Sequence, residues 1–497
     1  MTLRSEQTSQ TALTDLSDTD PTLSRRRRKL ILGIASMGFI LGGLDSTALN
    51  IALPNIQNTT GASVSELQWV VNAYTLVMAS LLMLAGSMAD RFGRRKVFQL
   101  GQILFTLGSL LCALAPTVQW LIAFRVCQAV GGAMLNPVSN AIVRATFHDS
   151  RERARAFGIM GATMGISMAL GPVIGGILVD LASWQAIFLI NLPVGVVAVI
   201  LTSLFVPNSS APRARRFDPI GQILVIVALA SLTAAIIEGG AVGYGTSWVV
   251  ALLAGSGVCF LALVFVELRR HEPLIEMRFF TCVPFSGAIM IAISLQVVIG
   301  GFLFVNTLYL QQSRELTPLY AALYMLPMAV TMAVFAPVSG WLASRFGSRP
   351  SITAGGMAVT AGGLMLTALT QSTPLTYLFT AYVLLGLGTS LIMPPITNAS
   401  VTLMPAAQAG VAAAVTTTSR QFGLTLGVAL FGVIAGASAG SNAESLAAAT
   451  HPVWWIVAVI GVMIVTIDWL TTMPWAMRTT KLMADIANTP APRRLLS

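Results

Sequence analysis

The chain has 497 residues, 55% of them hydrophobic and only 10% charged, with a formal net charge of +10. Soluble domains carry roughly 25% charged residues, so this composition excludes a water-facing surface and points to lipid as the solvent. No folded basic domain carries the positive excess, which excludes nucleic acid as its partner.

The first 24 residues are polar, and the basic run Arg25-Arg26-Arg27-Arg28-Lys29 abuts the first apolar run. That run is too long for the core of a signal peptide and is expected to stay as a first helix, after a basic tail at residues 1–29. Apolar runs of about 20 residues, each able to cross a hydrocarbon core of about 30 Å, then predict helices at 30–54, 66–88, 96–115, 118–142, 156–179, 187–206, 219–238, 247–267, 283–311, 317–341, 351–371, 375–400, 409–436 and 452–474. This is an all-α integral membrane protein of fourteen transmembrane helices. A twelve-helix reading would leave the pair at 219–267 outside the membrane, and both of its members are too apolar for that. Short loops make neighbouring helices antiparallel.

Charge orients the bundle. Of 29 Lys and Arg, all fall in tails or loops of one face except Arg314 on the other face and Arg125 and Arg420 within helices. Basic residues resist translocation, so this face and both termini are expected in the cytoplasm, with the chain in the cytoplasmic (inner) membrane of a bacterium. Two connections carry more polar sequence, Pro207 to Asp218 and Glu267 to Arg278. They divide the chain into a six-helix bundle at 30–206, a linker with an inserted helix pair at 207–281, a second six-helix bundle at 282–475, and a tail at 476–497. An internal repeat supports the division: GSMADRFGRRK at 86–96 and GWLASRFGSRP at 340–350 match at six of eleven positions, each after the second helix of its half. Two parallel halves are a plan known in transporters.

Little in the chain supports catalysis. Cys112, Cys127, Cys259 and Cys282 lack CxxC spacing and read as small core residues. His148, His271 and His451 lie in separate loops, so no metal site is expected. No phosphate-binding GxxxxGK[ST] occurs, and GASAG at 436–440 sits at a helix end rather than on the strand–turn–helix that a GxSxG nucleophile needs. An enzyme is not expected, nor a cofactor.

Ionisable groups inside a bilayer are costly and mark function. Asp45, Arg125, Arg420 and Asp468 lie within predicted helices, and Glu238 near the outer end of helix seven. Arg125, Gln128, Gly132, Asn136 and Asn140 recur at steps of three and four, on one face of helix four. Gln68, Asn72 and Thr75 form a similar stripe in helix two, and Asp45, Ser46 and Asn50 in helix one. Such stripes face a polar cavity or make hydrogen bonds between helices. Asp45 is the natural partner of Arg125. A neighbouring cation favours a charged carboxylate and burial disfavours it, so a site alternating between the two conditions can carry a proton; a fixed ion pair is the alternative. Arg420 with Asp468 is a weaker candidate pair. Predicted depth adds Trp69, Tyr74, Phe302, Asn306, Tyr309, Tyr324 and Met325 to Asn50, Asn72, Gln128, Asn136 and Arg420 as cavity candidates. The scarcity of buried acids favours neutral, amphipathic or singly charged substrates over dications.

Six segments carry a family resemblance. Gly86-Ser-Met-Ala-Asp90-Arg91-Phe-Gly93-Arg94-Arg95-Lys96 resembles the loop motif of the major facilitator superfamily, and Arg125-Val-Cys-Gln128-Ala129-Val-Gly131-Gly132 its fourth-helix motif. Gly161 through Gly165 to Gly171-Pro172-Val-Ile-Gly175-Gly176 is similar to the fifth-helix motif of its antiporters. Leu44-Asp45 to Asn50-Ile-Ala-Leu-Pro54, Trp184 to Asn191-Leu-Pro193, and Arg420-Gln421-Phe422-Gly423 resemble the fourteen-helix drug/proton antiporter branch. The resemblance implies alternating access, with substrate expelled as protons enter; a small-molecule substrate, protons and the lipid bilayer are the expected partners, and the protein is expected to work as a monomer. It implies proton coupling at Asp45 assisted by Arg125. It also implies a conformational latch at Gly86, Asp90, Arg91, Gly93, Arg94 and Arg95, and a pivot at Gly161, Gly165, Gly171, Pro172, Gly175 and Gly176. Ala129 replaces a usual glycine, Gln185 a common basic residue, and Ser344 the loop acid of the second half, which makes the latch one-sided. An uptake carrier for a small metabolite is the rival reading.

Overall fold

The computed structural model describes residues 24–210, 218–270, 276–402, 409–438 and 447–480. Among these residues every regular element is helical. The long helices are α1 (Arg25–Thr60), α2 (Val64–Phe92), α3 (Arg94–Ala113), α4 (Val118–Thr146), α5 (Ser150–Leu181) and α6 (Ala186–Phe205). They continue as α7 (Pro219–Val242), α8 (Ser247–Arg269), α9 (Val283–Leu308, extended by a π turn at Tyr309–Ser313), α10 (Pro318–Phe346), α11 (Ser348–Leu366), α12 (Leu375–Thr402), α13 (Ala409–Ser438) and α14 (His451–Thr471). Thirteen helices among the described residues are long and apolar enough to cross a membrane.

The helix at α11 falls short of that apolarity because it spends side chains on close packing. Its Gly355-Gly356 and Gly362-Gly363 pairs sit against α12 and α14. A Cβ at Gly355 would lie 2.9 Å from the Gly388 carbonyl, and one at Gly363 would lie 2.7 Å from the Ala458 nitrogen. Small residues let helices approach where lipid supplies no hydrophobic drive between them.

Local chemistry explains the helix ends. Ser24 accepts from the Arg27 amide, so Arg25–Lys29, expected in the tail, are instead the first turns of α1. Gly61 ends that helix at φ +69°. Ser63 and Glu66 start α2 with a reciprocal capping box. Gly93 and Gly347, which correspond in the internal repeat, take φ of +101° and +83° at the α2–α3 and α10–α11 turns. The repeat thus reproduces a left-handed turn that suits glycine.

Helices α1–α6 pack on one another, as do α9–α14, and α2 against α13 and α5 against α10 join the two sets. Helix α7 lies against both α2 and α13, and α8 packs chiefly on α7. Trp69 Nε1 donates to Glu238 Oε1 at 2.8 Å, and the Gln222 amide donates to the Ser80 carbonyl. Arg270 pairs with the buried Asp218 at 2.8 Å at the base of the helix pair. On α8, Val258 and Leu261 are 65% and 70% exposed, an apolar surface suited to lipid.

Candidate functional site

The site grows from glycine-mediated packing of α3 on α4. A Cβ at Gly108 would lie 2.7 Å from the Gln128 nitrogen, so only glycine lets the helices meet there. This close approach sets Ser109 beside Gln128. On the neighbouring face, a Cβ at Gly132 would lie 2.8 Å from the Tyr74 hydroxyl, which brings α2 in. Helix α6 is interrupted at Ile190, and Asn191 opens its second segment. Pro193 suits that first turn because it has no N–H to donate.

Asp45 lies near the middle of α1, about 22 Å from Thr60 at the rise of an α-helix. Its Oδ2 stands 2.6 Å from Arg125 Nη1. Its Oδ1 accepts from Gln128 Nε2 at 2.8 Å and from Asn191 Nδ2 at 3.3 Å. Arg125 also donates to Gln128 Oε1 at 2.8 Å and, through Nε, to the Val70 carbonyl at 3.2 Å. Its guanidinium carbon sits 4.1 Å from the centre of the Tyr74 ring, a cation–π stack. Ser109 Oγ accepts from Asn191 at 3.0 Å and donates to the Phe188 carbonyl at 3.0 Å. Asp45, Gln128 and Ser109 have no exposed surface, and Arg125 and Asn191 have 1%. A buried ion pair persists only with good geometry and further hydrogen bonds, and both are present.

Residues of five helices thus form one network around the Asp45 carboxylate, which α4 and α6 touch directly. Sequence reasoning found Asp45, Arg125 and Gln128 and placed Tyr74 among the cavity candidates rather than on Arg125, but gave no site role to Asn191 or Ser109. The break before Asn191-Leu-Pro193 was the signal available for Asn191.

The other candidates divide. Asn50 donates to the Ser46 carbonyl at 3.0 Å, and its Oδ1 has no partner. Neither side-chain atom of Asn72 has one, nor does Asn136 Oδ1. Uncommitted buried amides are what a polar cavity wall supplies. Phe302 and Tyr309 lie elsewhere, in the packed core of α9–α14. Phe302 meets the Tyr382 and Trp454 rings edge-on, with centroids 5.3 and 6.1 Å apart. Tyr309 donates to the Thr370 carbonyl at 2.7 Å, and Asn306 accepts from Tyr382 at 2.6 Å. Helix α9 is buried on nearly every side, so depth in the sequence could not select a cavity face. Arg420 does not meet Asp468; Asp468 accepts from Thr353 at 3.0 Å instead, while Arg420 Nε has no partner.

Residues 35–428 match the family model of the Major Facilitator Superfamily. The chain belongs to the Major Facilitator Superfamily. It is 35% identical over 419 residues to the multidrug resistance protein Stp of Mycobacterium tuberculosis, covering 84% of this chain and 78% of that one. It is 34% identical over 400 residues to a methylenomycin A resistance protein of Streptomyces coelicolor, covering 80% and 83%. It is 33% identical over 434 residues to the methyl viologen resistance protein SmvA of Salmonella typhimurium, covering 85% and 87%. Among solved structures, the fold is similar to that of a bacterial homologue of the human lysosomal transporter Spinster in an inward-facing, unoccupied conformation. That match has a TM-score of 0.68 at 19% identity and covers 93% of this chain and 99% of the other. A D-xylose-proton symporter matches at a TM-score of 0.65 and 15% identity, covering 88% and 97%.

In this facilitator the fifth-helix motif splits in two. Gly171 and Gly175 sit against Thr47 and Ala48, just beyond Asp45, and a Cβ at Gly175 would lie 2.8 Å from the Ala48 carbonyl. Gly176 faces Leu319 of α10, whereas Gly161 and Gly165 face open space. Pro172 lies between these contacts. The loop motif is bound within the first set of helices: Arg94 pairs with Asp90 at 3.1 Å and donates its backbone N–H to the Ser209 carbonyl at 2.8 Å, and Gly93 faces Asn208. Arg91 lies over Phe92, and a Cβ at Gly86 would meet open space.

Hydrogen bonds between the two sets gather away from this basic end. Gln311 donates to the Ile51 carbonyl at 2.8 Å, Gln312 to Gln57 at 2.6 Å, and Thr317 to Asp180 at 3.1 Å. Gln68 donates to the Val428 and Ala429 carbonyls at 2.9 and 2.7 Å, and Thr425 to Thr75 at 2.8 Å.

Proposed function

We propose that this facilitator expels drugs or amphipathic metabolites from a bacterial cytoplasm in exchange for protons, by alternating access. The observation that carries the reading is the enclosed Asp45–Arg125 pair, an ionisable couple at mid-depth in a family whose similar members are named for resistance to antibiotics and other toxic compounds. In this reading the chain crosses the membrane fourteen times, α11 included, with the basic end in the cytoplasm. The hydrogen bonds between the two sets then close the outer end, and the conformation opens inward.

The geometry suggests how a proton is coupled to movement. Protonation of Asp45 removes the counter-charge of Arg125. The cation remains supported by the Val70 carbonyl, Gln128 Oε1 and the Tyr74 ring, so α2 and α4 hold it while α1 is released. Helix α1 bears on Gly171 and Gly175 of α5 immediately beyond Asp45. Loss of the ion pair therefore frees α1 at the contact where it pivots on α5. Deprotonation restores the pair and the packed arrangement. Asp90, Arg91 and their neighbours would engage the second set only in the opposite conformation, where the basic end closes.

The buried acids bear on substrate charge. Of the four buried acids among the described residues, Asp45 and Asp218 are paired with arginines, Asp468 is hydrogen-bonded to Thr353, and Glu267 lies at the end of α8. This supports neutral or singly charged substrates, although SmvA is named for methyl viologen. The test is a resistance panel in an efflux-deficient host together with export from proteoliposomes under an imposed pH gradient. Asp45→Asn should reach the membrane in normal amount and lose gradient-driven export. Full export by that variant would move the proton site elsewhere. Substrate moving in the same direction as the protons would give the uptake reading instead.

A further inference from the structure

The basic run at the start of α1 is divided by helical geometry. Arg28 turns to α5 and pairs with Glu152 at 2.7 Å. Arg27 turns to the end of α6 and donates to the Phe205 carbonyl at 3.3 Å. Arg26 and Lys29 are exposed and form no ion pair among the described residues. With Gly33, Met37, Leu201 and Phe205 they line a groove of about 490 Å³ between α1 and α6. Steps of three and four put Arg26, Lys29, Gly33 and Met37 on one face of α1. Gly33 is exposed, and a Cβ there would meet nothing within 4 Å, so the missing side chain opens the groove.

We propose that this groove binds one anionic phospholipid, its phosphate held by Arg26 and Lys29 and an acyl chain lying along Gly33, Met37, Leu201 and Phe205. Two features select this occupant. The charge is confined to one end of the groove and the remainder is apolar, which matches an anionic head joined to a hydrocarbon tail. The length also fits: eleven residues from Arg26 to Met37 rise about 16 Å, close to half of a hydrocarbon core of about 30 Å, or one leaflet. A lipid so placed would join α1 to α6, the two helices that carry Asp45 and Asn191.

The test uses the full chain in nanodiscs of mixed phosphatidylglycerol and phosphatidylcholine, with retained lipid read by native mass spectrometry. The intact protein should retain phosphatidylglycerol selectively. Arg26→Gln and Lys29→Gln should each weaken that retention about five-fold, as expected for one basic contact at the membrane surface. Arg151→Gln, which removes an exposed basic residue outside the groove, should leave it unchanged. Gly33→Leu should displace the lipid while keeping both charges. A photoreactive residue at Met37 should crosslink to phospholipid. Equal retention of phosphatidylcholine, an equal loss with Arg151→Gln, no loss with Gly33→Leu, or crosslinks to this chain's own tail or a second copy would each overturn the proposal.

Discussion

Asn191 holds its side-chain amide between two acceptors, 3.3 Å from Asp45 Oδ1 and 3.0 Å from Ser109 Oγ. It is the link by which α6 reaches the carboxylate. Hydrogen bonds to charged groups contribute about 1.5–3 kcal/mol, so Asn191→Ala should slow proton-driven export by roughly ten-fold or more without abolishing it. Asn191→Asp should be more damaging, because it sets a second carboxylate beside Asp45. Export rates in proteoliposomes that follow the reverse order would show that Asn191 acts by packing alone.

Removing one partner of a buried ion pair leaves an uncompensated charge and costs about 3–5 kcal/mol. Arg125→Ala should therefore lower the thermal stability of the protein in detergent, while Asp45→Asn combined with Arg125→Gln should recover much of it and remain unable to couple protons. Arg125→Lys should not restore export, since one ammonium cannot bond Asp45, Gln128 and Val70 and also stack on Tyr74. Recovery of export by lysine would reduce the role of Arg125 to its charge.

The two halves of the fifth-helix motif should respond differently to added side chains. Gly175→Val places a side chain against the Ala48 backbone and should block turnover while leaving substrate binding measurable. Gly161→Ala, pointing into open space, should retain near-normal export. Equal tolerance at both positions would mean that the α1–α5 contact does not move during transport.

Gln57 and Gln312 bridge the two helix sets at the end away from the basic residues. Cysteines at both positions, joined by a short bifunctional reagent, should hold that end closed and stop export, with activity returning when the linker is cleaved. The same pair should crosslink less when a pH gradient and substrate drive turnover. Crosslinking that leaves export intact would place the moving contacts elsewhere.

The sequence by itself determined the helical class and the positions of the long apolar helices, and pointed to the pairing of Asp45 with Arg125. These properties are local or nearly so: the length and apolarity of each helix are written in its own segment, and Asp45 and Arg125 each stand in a polar stripe that cannot face lipid. The internal repeat was likewise legible, and the structure gives its shared glycines, Gly93 and Gly347, the same positive-φ turn. Tertiary structure alone decided lateral placement. It brought Asn191 to Asp45 and Ser109 to Asn191, buried Phe302 and Tyr309 in the packed core of α9–α14, kept Arg420 from Asp468, and seated α7 against α2 and α13. The reason is that an apolar helix buried on all sides carries no periodic mark of which face meets which neighbour. That choice rests on where glycines such as Gly108, Gly132 and Gly175 permit close approach, and the matching surface lies on another helix, often many residues away.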